Sequence, residues 1–387
     1  MLPFRVRLPQ PSANRRKQPS SVRDCNRSSP RTKNEREMLA RLAAALCLLL
    51  PVPALAAVGE QHRVAVQPSA MLRDAQHRSD LRITVWYPAA AGAPTRSIDI
   101  PPEAPEFKVG SVAADAPFAD TSRHPIILLS HGFGGSARIM GWFGLALAEH
   151  GYVVVAVDHP GNNGIEPLTK EGAVLWWDRA DDLKTALATV LADPKLKDHL
   201  DAARVGVAGF SIGGLTALVA GGAKTDPNRM IQFCHEHPAD GTCKPQREFA
   251  LSPDDAVATL ASPALATERK RARDDHSVPE VKAIFAMAPV VQPLTPASLR
   301  VIREPVVILA GADDVTVPPA THALIAKRLI PGAKVTILPD VTHYSFLATC
   351  SGSAAKEVPV CRDATNQETA HRLAIRAAIA LFERALR

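Results

Sequence analysis

Five residues, Gly209-Phe210-Ser211-Ile212-Gly213, set a hydroxyl between two glycines, behind the apolar run Val205 to Ala208 and ahead of the helix-like Leu215 to Ala220. In a strand–turn–helix, glycines on both sides of the serine allow a turn tight enough to lift its hydroxyl clear of a sheet. The pattern alone is common in a Gly- and Ala-rich chain, so its weight comes from the strand before it and the helix after it. A serine hydroxyl at its ordinary pKa is a poor nucleophile. It needs a base within hydrogen-bond reach and a carboxylate to orient that base.

On a parallel sheet those partners are expected after Ser211, acid first and His second, each just beyond a strand. Val306 to Ala310 runs into Gly311-Ala312-Asp313-Asp314-Val315-Thr316-Val317-Pro318, and Val335 to Leu338 runs into Pro339-Asp340-Val341-Thr342-His343-Tyr344. Of thirteen histidines, His343 alone follows the last strand-like run, which makes it the expected base. Asp313 and Asp314 are both placed to be the acid. Acyl transfer builds negative charge on the former carbonyl oxygen, and backbone N–H groups aimed there stabilise it. One expected donor is the N–H of Ile212. The other is the N–H of Phe133, within His131-Gly132-Phe133-Gly134-Gly135 directly after the run Ile126 to Ser130. A phosphate cradle is the rival reading of that Gly-rich turn, but no Lys-Ser/Thr pair follows it and it opens with His.

The elements that must position these groups alternate strand-like and helix-like from Val58 onward, the pattern of an α/β fold: a mostly parallel central sheet with helices on both faces. Leu81, Ile83, Val85 and Tyr87 alternate with Arg82, Thr84 and Trp86 before Pro88, predicting a half-exposed strand. The runs at 126–129, 153–157, 205–208, 283–287, 306–309 and 335–338 are nearly continuously apolar, as strands covered on both faces are. Helices are predicted over 139–150, 178–191, 320–329 and from about Gln367 to the end, the last with Thr365 and Glu368 spaced as a capping box. Residues from about 222 to 279 break the alternation as a polar, Pro-rich, lid-like insertion, and its charge run Glu268-Arg269-Lys270-Arg271 reads as solvated surface. Residues 348–364 read as a small loop. Trp142, Trp176 and Trp177 are candidates to line a pocket, with core or helix packing the favoured reading of each.

The chain has 387 residues, enough for one large core without demanding a second, and a net charge of +6. Ten Lys or Arg against three Asp or Glu fall in residues 1–37 and Arg41 adds one more, so residues 58–387 carry a net charge of −2. The basic excess therefore gives no reason to expect a nucleic-acid partner in the folded part. Met38-Leu39-Ala40-Arg41 opens a short basic start, Leu42 to Leu50 is apolar, and Ala54-Leu55-Ala56 offers a small-x-small cleavage pattern. The expectation is a bacterial signal peptide over about 38–57, export to the periplasm or medium and no stable membrane anchor. Residues 1–37 are an extension without apolar period, and Cys47 belongs to the apolar run. Residues 58–387 are the expected catalytic domain.

Four cysteines remain: Cys234, Cys243, Cys350 and Cys361. In an oxidising compartment they read as disulfides, and short separations favour Cys234–Cys243 and Cys350–Cys361 among three possible pairings. The rival for the first pair is zinc held with His235 and His237, but the spacing fits no usual metal ladder.

The chain resembles the bacterial predicted dienelactone hydrolases and the platelet-activating-factor acetylhydrolase-like branch of the α/β-hydrolases. The resemblance spans most of residues 60–387. It rests on Val85-Trp86-Tyr87-Pro88, His131 to Gly135, Val157-Asp158-His159-Pro160-Gly161-Asn162, Trp177-Asp178-Arg179 with Asp182, and the segments holding Ser211, Asp314 and His343. It implies an α/β-hydrolase fold, carboxylic ester hydrolysis and no metal or organic cofactor. The family habit of an acid four residues before a proline, here Pro318, selects Asp314 over Asp313. Dienelactone hydrolases proper use Cys where this chain has Ser211, which argues against lactone specificity. Asp158 and His159 precede the nucleophile turn and read as structural support. The expectation is an exported serine esterase acting on small-molecule esters with small to medium acyl chains. A peptidase of the same fold and a binding protein on an inactive hydrolase scaffold are the alternatives. Oligomeric state is not legible.

Overall fold

A computed structural model describes residues 57–387. The extension 1–37, Cys47 and the signal-like segment up to Ala56 lie outside the described residues. Strands β1 (Ala57–Val66) and β2 (Asp80–Ala89) form an antiparallel pair, followed by the short β3 (Arg96–Ser97) and β4 (Ser111–Ala114). Then come β5 (His124–Ser130), β6 (Val153–Asp158), β7 (Leu200–Phe210), β8 (Val281–Met287), β9 (Val306–Gly311) and β10 (Lys334–Leu338). All ten join one sheet in the order β10-β9-β8-β7-β5-β6-β2-β1-β4-β3. From β10 to β6 every neighbour is parallel, as the crossover helices between those strands require.

Successive side chains of a strand point to opposite faces, and the core divides accordingly. Ile126, Leu128, Val153, Val155, Val157, Ile284 and Ala286 pack on one face with Leu183, Leu187 and Val190 of α3 (Asp178–Ala192) and with α4 (Ile212–Ala220). Ile127, Leu129, Val154, Ala156, Phe285 and Met287 pack on the other with α1 (Gly141–Glu149) and with Ala370, Ala374, Ala378, Leu381 and Phe382 of α9 (Gln367–Ala385).

Several local expectations are corrected. β2 is buried on both faces rather than half exposed, because Trp86 fills the opposite face against Gly144 of α1 and donates its indole N–H to the buried Glu60 at 2.9 Å. β10 is the sheet edge and alternates between exposed and half-buried residues rather than lying covered. The capping box at Thr365 and Glu368 does not form: Asn366 in the left-handed region (φ 51°) precedes α9, and the Thr365 hydroxyl donates to the Asp340 carbonyl at 2.9 Å. The helix predicted from Ala320 starts as α8 at Ala323 and ends at Leu329.

The insertion 222–279 is helical, with α5 (Pro227–Glu236), α6 (Pro253–Ala261) and α7 (Ala266–Arg271). Its charge run is not simply solvated. Glu268 is buried, and Arg271 pairs with Glu268, with Asp181 at 2.7 Å and with Asp178 at 3.3 Å, tying the insertion to α3. Both expected disulfides are present. The Cys234 and Cys243 sulfurs bond each other, which removes the two thiolates that the zinc reading needs.

Candidate active site

The parallel strands β7, β9 and β10 all end on one edge of the sheet, and each delivers one side chain there. Ser211 stands between β7 and α4 at φ 58°, a strained value for a residue with a Cβ. The turn closes only because its glycines lack side chains. A Cβ on Gly209 would lie 2.0 Å from the Gly213 carbonyl oxygen, and one on Gly213 would lie 2.2 Å from that of Ser130. The backbone is further pinned where Ser211 N–H donates to Met287 O of β8 at 2.8 Å.

Ser211 Oγ lies 3.0 Å from His343 Nε2, and His343 Nδ1 lies 2.7 Å from Asp314 Oδ2. The other Asp314 oxygen accepts the N–H groups of Val317 at 2.7 Å and Thr316 at 3.0 Å. An ionised carboxylate so held accepts the Nδ1 proton of His343, which leaves the Nε2 lone pair for the hydroxyl. The three are 7%, 5% and 3% exposed in the order Ser, His, Asp, so the chain of hydrogen bonds is largely shielded from water. Asp313 is exposed and takes no part in the chain.

Phe133, Ile212 and Ser211 line one cavity of about 370 Å3. Among the described residues neither the Phe133 nor the Ile212 N–H has a hydrogen-bond partner, the condition for donors reserved for a bound anion. The cavity runs from Ser211 under the insertion, with Val174 of α2 (Lys170–Val174), Trp176, Leu215, Met230, Phe249 and Leu260 on its mainly apolar wall. Sequence reading singled out the insertion as lid-like and Trp176 as a candidate lining, but not the other residues of this wall. Met230, Phe249 and Leu260 are apolar positions scattered through the polar insertion, with no period to announce them, and Trp176 is a wall residue where Trp142 and Trp177 are buried in packing. The Cys234–Cys243 bond is part of the same wall. Glu248, also unread, packs on Gly134 within Coulombic reach of His343, and burial lifts its carboxyl above the usual range.

The alpha/beta hydrolase family model matches residues 126–355, which include all three of these side chains and the Phe133 loop. The chain belongs to the alpha/beta hydrolase family. Among curated proteins it is 26% identical over 161 residues to the platelet-activating factor acetylhydrolase of Canis lupus familiaris, covering 30% of this chain and 36% of that protein. It is 30% identical over 120 residues to cutinase est1 of Thermobifida alba, covering 30% and 37%. The chain thus spans about a third of the length of each. A solved structure, the ferulic acid esterase from Streptomyces cinnamoneus, superposes with a TM-score of 0.56 at 20% identity over 87% of this chain and 92% of that one. At that identity the likeness shows the shared alpha/beta hydrolase fold.

Proposed function

We propose that this alpha/beta hydrolase is an exported serine esterase that cleaves carboxylic esters of small to medium acyl chain. The observation that carries the reading is the continuous path Ser211 Oγ–His343–Asp314, opening into an apolar cavity beside two backbone N–H groups that have no partner among the described residues. His343 Nε2 takes the Ser211 proton as Oγ attacks the ester carbonyl. The N–H groups of Phe133 and Ile212 hold the resulting oxyanion. Collapse expels the alcohol, which leaves with the proton from His343, and forms an acyl-enzyme. Water then attacks that ester, giving its proton to His343, and the carboxylic acid departs as Oγ takes the proton back. Similarity to an acetylhydrolase and a cutinase supports the ester class. The cavity lies in the size range of small-ligand sites, and its apolar wall suits an aliphatic or aromatic group.

Export is supported by the two disulfides, which fit an oxidising compartment. Among the described residues no helix is long and apolar enough to cross a membrane. The test is turnover of p-nitrophenyl esters from acetyl to dodecanoyl alongside aminoacyl p-nitroanilides. Ester turnover that peaks at an acetyl-to-octanoyl chain, with no anilide turnover, is expected; anilide cleavage without ester cleavage would replace the reading by a peptidase.

A further inference from the structure

A second chain of the same three residue types lies inside the molecule. Ser130, the last residue of β5, places Oγ 2.9 Å from His159 Nε2, and His159 Nδ1 lies 2.8 Å from Asp182 Oδ2. All three are 0% exposed, and none lines the cavity at Ser211. No ester could reach that hydroxyl. Asp182 is also gripped by both terminal nitrogens of the buried Arg73, at 2.7 and 2.8 Å, which holds its carboxyl well below the usual range. Burial beside Arg179 pushes His159 down to about 3, so it stays a neutral spacer with a fixed tautomer.

What this frame holds is Arg179, three residues before Asp182 on α3. Its guanidinium is buried, and no carboxylate lies within 4.0 Å of it among the described residues. A cation is expensive to bury without a counter-ion, so its five donors should be doing something specific. Besides Ser130 Oγ of the frame, reached by Nη2 at 3.4 Å, they split between two places. Nη2 donates to the His131 carbonyl, and Nη1 donates at 3.1 Å to Asn162 Oδ1, which also accepts the Gly134 N–H at 3.3 Å. Those two contacts bracket Phe133. On the other side Nε donates at 3.1 Å to Thr216 Oγ1, whose own hydrogen goes to the Ile212 carbonyl at 3.0 Å. The His131 ring closes the loop side, donating from Nδ1 to the Gly132 carbonyl at 2.6 Å and accepting the His159 N–H at 3.1 Å.

We propose that Arg179 is the positioning residue of the oxyanion hole, tying the loop that carries the Phe133 N–H and the helix start that carries the Ile212 N–H into one rigid unit. The inference rests on the reading of Ser211 as nucleophile. Only a planar fork with separated donors reaches His131, Asn162 and Thr216 at once, and a lysine ammonium cannot replace it. Binding of the neutral ester uses the apolar cavity and is left intact. Stabilisation of the anion needs both N–H groups at a common point, and a misplacement of about 1 Å there costs roughly 10²-fold in rate.

The test compares Arg179→Lys, Thr216→Val and Thr216→Ser with the unaltered protein and Ser211→Ala, all as the full chain. It reads kcat and KM for p-nitrophenyl butyrate, inhibition by an alkyl trifluoromethyl ketone, whose adduct on the serine is an oxyanion, and the melting temperature. Arg179→Lys should lower kcat about 10²-fold with KM within threefold, and weaken the ketone in proportion. Thr216→Val should lower kcat about tenfold and Thr216→Ser should restore it. Wild-type kcat in both Arg179→Lys and Thr216→Val overturns the proposal, as does a fall in kcat with unchanged ketone affinity. If Arg179→Lys does not fold, the Thr216 pair decides. Wild-type turnover in Ser211→Ala, by contrast, overturns the underlying reading itself.

Discussion

Replacing Asp314 by Asn changes few atoms and should nearly abolish turnover, for a reason written in the hydrogen bonds. One carboxylate oxygen accepts the N–H groups of Thr316 and Val317, at 3.0 and 2.7 Å, and the other faces His343 Nδ1 at 2.7 Å. Two fixed backbone donors cannot accept a hydrogen, so in Asp314→Asn they retain the amide oxygen and turn the NH2 group toward His343. Nδ1 must then act as acceptor, the ring proton moves to Nε2, and a hydrogen points at Ser211 Oγ where a lone pair is required. The imidazolium formed in the transition state also loses its counter-ion. Together these should cost about 10⁴-fold in kcat, or about 5 kcal/mol at 1.36 kcal/mol per tenfold, with KM little changed. Steady-state hydrolysis of p-nitrophenyl butyrate at pH 7.5, with a melting curve to establish that the variant is folded, is the assay. A folded Asp314→Asn protein within tenfold of the unaltered rate would refute the reasoning.

Burial, with the Glu166 carboxylate acting the same way, lifts the Asp158 carboxyl to about 6, above its unfolded value near 4, against the Ala137 N–H, Arg82 and His62, which favour its ionised form. The folded state thus binds the proton more tightly, and this group's contribution to stability is full below pH 4 and lost as pH rises through 6; relative to wild type, Asp158→Asn should gain about 2–3 kcal/mol between pH 4 and pH 7.5. Denaturant curves at the two pH values check this, and a constant difference would contradict it. Replacing Cys234 and Cys243 together by Ser opens a bridge of sequence separation 9 in the cavity wall, worth about 2–3 kcal/mol of chain entropy. Long-acyl esters should show a severalfold higher KM while acetyl ester kcat barely moves; equal effects on both would place the wall elsewhere. Gly213→Ala drives a Cβ into the Ser130 and His131 carbonyls, at 2.2 and 2.5 Å, and should lower kcat at least about 10²-fold or prevent soluble expression. Unchanged turnover would mean that the turn at Ser211 has room for the added methyl.

The face each strand residue takes follows from period-two alternation, and the sequence made the parallel strands plain because their runs are apolar on both sides. Trp86 broke that reading in β2: an indole looks like an interruption of alternation until Gly144 opens a slot for it. Ser211, Asp314 and His343 stand out because each follows a strand, and the sheet brings those strand ends together. Arg179 and Asn162 were visible only as parts of quoted motifs, since their work is to hold backbone carbonyls and amides, which no side-chain pattern encodes. Thr365 fits a capping box by spacing, yet the Asp340 carbonyl competes for its hydroxyl and wins. The insertion stood out as lid-like and Trp176 as a candidate lining, but Met230, Phe249 and Leu260 were illegible for a similar reason: they come together through helices and a disulfide, not through local period.

The most direct measurement is covalent. After incubation with a fluorophosphonate, intact mass and peptide mapping should show one adduct, on Ser211, in the unaltered protein and none in Ser211→Ala, whose ester turnover should fall by about 10⁴-fold or more. An adduct on a different residue, or a Ser211→Ala protein that hydrolyses the ester at full rate, would contradict the account.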